Sequence, residues 1–145
     1  MNFLDALHIS SSGLAAQRLR MNLISSNMAN INTTRTPQGG PYKRKEAVFT
    51  ALPVRGSFHN VLRSRMSCGL SRVKVAGIRT DHRPPILKHD PSHPDADKKG
   101  YVAMPNINIV EEMVDMISAT RSYEAGVTAI NASKDMALKA LEIGG

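Results

Sequence analysis

The sequence predicts a mainly α chain, with long N- and C-terminal amphipathic helices flanking a small β-containing, loop-rich middle region. Three observations predict it. Apolar residues recur at helical spacing over both ends, and the segment between them is broken by Pro and Gly around short alternating stretches. Aromatic residues are scarce, with no Trp, three Phe and three Tyr in 145 residues. Aromatic side chains supply much of the buried area in a compact core. Eight Met and many Ala fit helix-on-helix packing instead, so one copy alone is expected to build little core.

Residues 3–31 read as the first helix. Leu7, Leu14, Met21 and Met28 recur every seven residues, and Leu4, Ala16, Leu19, Leu23, Ile24 and Ile31 widen the stripe. The run Ser10-Ser11-Ser12-Gly13 has poor helix propensity; it either kinks the helix or lets another helix come close. The opposite face is Ser, Asn, Gln and Arg with little net charge, as suits a face buried against polar partners.

Residues 32–46, with Pro37, Gly39, Gly40 and Pro41, are loop chemistry. Residues 47–52 and 70–79 are strand-like; Val73 and Val75 alternate with Arg72, Lys74 and Ala76, as in a half-exposed strand. Residues 84–105 are rich in Pro, Asp and His and are expected to form long loops.

Residues 108–142 form the strongest element. Asn108 is a good N-cap, Glu111 sits where a capping-box carboxylate belongs, and Glu111, Glu112 and Asp115 complement the helix dipole. The apolar stripe Ile109, Met113, Met116, Thr120, Tyr123, Val127, Ile130, Lys134, Ala137 and Leu141 steps by four and three, the heptad pattern of a coiled-coil seam. Gly144-Gly145 ends it. Polar Thr120 and Lys134 interrupt the seam, as residues that specify register and partner do. A two-helix core of this size is marginal by itself, which favours self-assembly over a stand-alone domain.

The net charge is +7, unevenly spread. Residues 1–31 carry two Arg and one Asp, residues 32–104 fourteen Lys/Arg against five Asp/Glu, and residues 105–145 three against six. The basic excess lies in the middle. It makes a nucleic-acid-binding module the alternative functional reading, although the middle offers no aromatic stacking platform and no recognition helix. The plainer readings are a solvated basic face or one that meets acidic neighbours.

Little chemistry is legible. The segment His89-Asp90-Pro91-Ser92-His93-Pro94-Asp95-Ala96-Asp97, with His82 nearby, offers metal donors, but its spacing matches no familiar site and its prolines make it a turn-rich loop. A hydrolase built on that loop is the third reading. Cys68, the single cysteine, excludes an internal disulfide and lacks the setting of a nucleophile. Ser10 to Ser12 carry no elbow motif, and Gly39-Gly40 lacks the Lys-Ser/Thr of a phosphate loop. No catalytic residue, metal or cofactor is expected. No Sec-type signal and no bilayer-spanning segment are legible, so the chain is not expected to be membrane-inserted.

Residues Leu14-Ala15-Ala16-Gln17-Arg18-Leu19-Arg20-Met21 and Ser26-Asn27-Met28-Ala29-Asn30-Ile31-Asn32-Thr33 resemble the N-terminal signature of the bacterial flagellar basal-body rod protein family, within it the proximal rod subunits. Gly39-Gly40-Pro41-Tyr42-Lys43-Arg44-Lys45, His93-Pro94-Asp95-Ala96 and Gly100-Tyr101-Val102-Ala103-Met104-Pro105-Asn106 are similar too. So is the end, from Val110-Glu111-Glu112-Met113 through Arg121-Ser122-Tyr123-Glu124-Ala125 to Ala140-Leu141-Glu142-Ile143-Gly144. The likeness covers most of the chain except roughly residues 52–70. Gly126 departs from it, standing where the family usually has Asn.

The resemblance implies a structural subunit of the proximal rod, a hollow drive shaft in the periplasm that serves motility. It implies terminal helices packed as a coiled coil across several neighbours, with the division 1–34 N-terminal axial helix, 35–105 middle region and 106–145 C-terminal axial helix, the first and last forming one coiled-coil domain. The implied partners are other rod proteins and copies of the chain, the inner-membrane ring and rod-base adaptor proteins, and the flagellar type III export apparatus, with export uncleaved. The subunit-interface residues expected on this basis are Leu7, Leu14, Met21, Asn27, Met28, Asn30, Met113, Met116, Tyr123, Val127, Ile130 and Leu141.

Overall fold

In the computed structural model, which describes residues 3–53 and 71–143, helix α1 spans Phe3–Ala29 and helix α2 spans Ile109–Ile143. Between them lie strands β1 (Lys45–Pro53), β2 (Ser71–Thr80), β3 (Ile86–His89) and β4 (Tyr101–Met104). Cys68, the Gly144-Gly145 end and most of the divergent stretch 52–70 lie outside the described residues.

Helix α1 runs unbroken through Ser10–Gly13. The Ser12 hydroxyl donates to the Ile9 carbonyl at 2.7 Å and accepts the Val73 N–H at 3.1 Å, fastening β2 to the helix. A Cβ built on Gly13 meets nothing within 4 Å, so the close helix approach expected there does not occur at that residue. It occurs at Gly126, where a Cβ would stand 2.8 Å from Leu14 Cδ2. Leu14 against Gly126, Met21 against Thr120 and Asn27 against Glu112 fix the two helices as an antiparallel pair.

The fully enclosed positions of α2 are Glu112 and Ala119, each 0% exposed, one residue before the Met113 and Thr120 of the anticipated seam. A small side chain explains the offset at Ala119, and pairing with Asn27 explains it at Glu112. Ala119 and Gly126 lie seven residues apart and let α1 come close, while Met116, Tyr123, Val127 and Ile130 are half-buried beside them. Asn108 caps α2 as expected, its Oδ1 accepting the Val110 N–H at 3.0 Å.

The chain leaves α1 by a turn in which the Asn30 amide donates to the Ser26 carbonyl at 2.8 Å and the Thr33 hydroxyl to Asn30 Oδ1 at 3.1 Å. Gly39 and Gly40, both at positive φ, close the next loop. Strands β1 and β2 pair antiparallel with a bulge at Val48/Phe49. The segment anticipated as long loops contains a second hairpin, β3 with β4, closed by Gly100 at φ 78°, a conformation that suits glycine. Val102 and Ile107 bury its inner side.

The buried apolar set among the described residues is small: Ala16, Ile24, Tyr42, Val102, Ile107 and Ala119. No described helix is long and apolar enough to cross a membrane.

The Leu14–Gly126 contact makes a stability prediction. Gly126→Leu should overpack the seam and lower unfolding free energy by about 1–3 kcal/mol, despite the better helix propensity of Leu. Urea unfolding followed by circular dichroism should show part of that loss restored in the Leu14→Ala, Gly126→Leu double variant. A more stable single variant would show that the helices do not close on Gly126.

Candidate subunit-assembly site

The residues that organise the helix pair form a buried polar knot where α1, α2 and the start of β1 meet. Asn27 is 1% exposed and Glu112 0% exposed. The Asn27 amide donates to Glu112 Oε2 at 3.1 Å and to the Lys45 carbonyl at 2.9 Å, while its Oδ1 accepts the Lys45 N–H at 2.9 Å and the Tyr42 hydroxyl at 3.2 Å. One side chain therefore pairs both polar groups of a backbone residue, as a strand neighbour would, and leaves neither unsatisfied.

Arg44 completes the knot. Its Nε donates to Glu112 Oε1 and its Nη2 to Asp115 Oδ2 at 3.4 Å, with Glu46 at 3.9 Å. Arg20 holds the other oxygen of Asp115 at 2.9 Å. Burial works against the Arg44 charge, but the hydrogen bond and the carboxylate of Glu112, with Glu46 and Asp115, outweigh it and hold the guanidinium pKa above its ordinary value. A carboxylate enclosed like Glu112 is tolerated because a cation and an amide meet it on both oxygens. The arrangement fixes the angle of β1 against both helices, and Asn27, Arg44 and Asp115 border the crevice between them.

The His/Asp segment is likewise occupied with its own structure. Asp97 Oδ1 accepts the N–H groups of Lys99 and Tyr101 at 2.7 and 3.0 Å, and Asp95 Oδ2 accepts the Thr34 hydroxyl at 2.8 Å. The Ser92 hydroxyl donates to Asp90 at 2.7 Å and holds that carboxyl below the usual range. His93 Nδ1 accepts the Asp95 N–H at 3.1 Å, and the His89 ring packs edge-on to Tyr101. Among the described residues no group of three His, Cys, Asp or Glu side chains stands ready to hold a metal.

Beyond the knot, the helix pair leaves much apolar surface in the open. Ile109, Val110, Met113, Val114 and Ile117 are exposed near the start of α2. Met113, Met116 and Ile117 join Ser25, Met28 and Ala29 in a shallow apolar groove along both helices. At the other end, α2 has 35 residues against 27 in α1 and is about 12 Å longer. There Leu141 and Ile143 are 73% and 87% exposed.

The twelve residues anticipated as interface thus divide. Leu14, Met21, Asn27, Tyr123, Val127 and Ile130 are buried or half-buried, and Leu14, Met21 and Asn27 touch α2 of the same chain. Leu7 is half-buried, and Asn30 serves the turn after α1. Met28 and Met116 line the groove, and Met113 and Leu141 are exposed. Sequence reasoning missed Glu112 and Arg44. The signal available was spacing: Glu112 lies four residues before Met116 and seven before Ala119, inside the stripe, where an isolated carboxylate requires a cation.

The knot predicts that Arg44→Met lowers stability by about 3 kcal/mol, because it strands the Glu112 carboxylate. Arg44→Met with Glu112→Leu should lose much less, since an apolar pair of similar volume replaces a buried ion pair at little cost. Urea midpoints of the three chains measure this; a single variant within about 0.5 kcal/mol of the parent would show the pair to be ordinary surface charge.

Comparison with known proteins places these features in a family. The model described as flagella basal body rod protein matches residues 7–35, and that described as flagellar basal body rod FlgEFG protein C-terminal matches residues 98–143. The flagellar basal-body rod protein FlgC of Borreliella burgdorferi is 48% identical over 99% of this chain and 98% of its own. That of Bacillus subtilis is 47% identical over 99% of both chains, and that of Escherichia coli O6:H1 is 39% identical over 99% of both.

Proposed function

The chain belongs to the flagellar basal-body rod protein FlgC family, and on that premise we propose that it is a structural rod subunit of the flagellar basal body. It works by assembly and not by catalysis. The observation that carries this reading is the unpartnered apolar face of α2 and its groove with α1, on a helix pair whose buried Asn27 and Glu112 are already paired. Soluble chains seldom leave a contiguous apolar surface of this kind without a partner.

In this reading the chain adds to the proximal rod, polymerising through its terminal helices into the hollow shaft. Residues 1–34 and 106–145 act together as the coiled-coil part, and 35–105 form the middle region. The groove and the overhanging end of α2 receive helices of neighbouring rod proteins or copies. Neighbours bury Met28, Met113, Met116 and Leu141, while Leu7, Leu14, Met21, Asn27, Asn30, Tyr123, Val127 and Ile130 shape the pair that they dock on. The inner-membrane ring, rod-base adaptors and the type III export apparatus are its further partners, and export leaves the chain uncleaved. The nucleic-acid reading gains no support from the relatives, which are named as flagellar rod proteins.

Met113→Glu with Ile117→Glu separates assembly from folding, because both side chains are exposed in the single chain. The purified variant should keep parental helix content and a urea midpoint within about 0.5 kcal/mol of the parent. Cells carrying it should make the protein but build no hook or filament and fail to swim. Lys139→Asp, an exposed control, should do far less. Normal swimming by the double variant would overturn the reading.

A further inference from the structure

The charge of the middle region has a definite geometry on the first hairpin. Successive side chains of a strand alternate faces, so Arg72 and Lys74 share one face and Arg79, an odd number of residues further on, would fall on the other. The bulge reverses this. Val48 pairs with Gly77 and Phe49 with Val75, which makes Ala76 the extra residue of β2 and returns Arg79 to the face of Arg72 and Lys74. All three are exposed.

The same face of β1 carries Glu46, Val48, Thr50 and Leu52, opposite Arg79, Gly77, Lys74 and Arg72. Its one carboxylate, Glu46, accepts from Arg79 at 2.7 Å. Arg72 and Lys74 have no ion-pair partner among the described residues. The other face holds Ala47 and Phe49, which line a crevice with Leu23 and Ile24 of α1. Arg72 and Lys74, unpaired among the described residues, therefore stand on the opposite face from Ala47 and Phe49, with the Arg79–Glu46 pair, whose Glu46 also borders the crevice, at the far end of their row.

We infer that this face, Arg72 and Lys74 of β2 with Thr50 of β1, docks an acidic protein segment, separately from the helix surfaces that build the rod. The two cations recur at about 6.6 Å along the strand, the spacing of alternate side chains in an extended peptide. Val48, 41% exposed, lies on the same face, and a protein partner removes it from water as a hydrated polymer would not. The aromatic residue of these strands, Phe49, is on the opposite face, so among the described residues the cations have no stacking platform for bases.

The test uses the full chain and a twelve-residue peptide alternating Glu and Thr, titrated at low salt. Arg72→Glu with Lys74→Glu should weaken binding by about tenfold or more, with helix content unchanged. Lys98→Glu with Lys99→Glu, the same change of net charge on the other hairpin's loop, should stay within about twofold. Equal losses in both variants would show a response to net charge alone and overturn the site, as would failure of the parent chain to bind the peptide. Binding of phosphatidylglycerol vesicles in place of the peptide would overturn it in favour of a membrane surface. Self-association of the parent that the first variant abolishes would assign the face to a second copy instead.

Discussion

The side-chain amide of Asn27 and the carboxylate of Glu112 meet inside the helix pair, and everything else is arranged around that contact. Asn27 also pairs both backbone polar groups of Lys45, and Glu112 also takes Arg44. Three separate segments, near residues 27, 42–45 and 112–115, become mutually dependent. Withdrawing Asn27 or Arg44 leaves the buried Glu112 carboxylate short of a partner. That dependence gives direction to a fold whose apolar core is thin. Burying six apolar side chains favours many nearby arrangements; satisfying one amide and one carboxylate favours a single one.

The knot also explains why the apolar surface lies where it does. Ala119 and Gly126 face α1 and bring the helices close, which turns the larger Met113, Val114 and Ile117 outward. A chain built to stand alone would place its large side chains inside. On α2 the small Ala119 is inside while Met113, Val114 and Ile117 stand at the surface, so the cost of exposing them is recovered only when neighbours cover them. The same logic accounts for membership of a family of rod proteins without any appeal to a reaction.

Much of this was legible in the residues. The helices anticipated at 3–31 and 108–142 stand at 3–29 and 109–143, and the strands at 47–52 and 70–79 stand at 45–53 and 71–80. Periodicity carries that information because each element has one face more buried than the other. The hairpin of β3 and β4 was hidden by its own turn: the Pro, Asp and His residues that close it dominate the composition of the segment. Part of the anticipated stripe, Met116, Tyr123, Val127 and Ile130, is half-buried, while the fully enclosed Glu112 and Ala119 stand one residue before Met113 and Thr120. Glu112 read as a dipole-favouring charge near a helix start; its burial depends on Arg44, which lies 68 residues away and has no local signature.

The Lys45 backbone N–H tests the central claim most directly, because its acceptor is the Asn27 side chain. Amide hydrogen exchange of the isolated chain should show Lys45 exchanging as slowly as the α1 and α2 amides beside Ile24 and Ala119, and Asn27→Ala should release all three together. Fast exchange at Lys45 while the two helices stay protected would contradict the account, since the middle region would then be tethered to the helices and not locked to them.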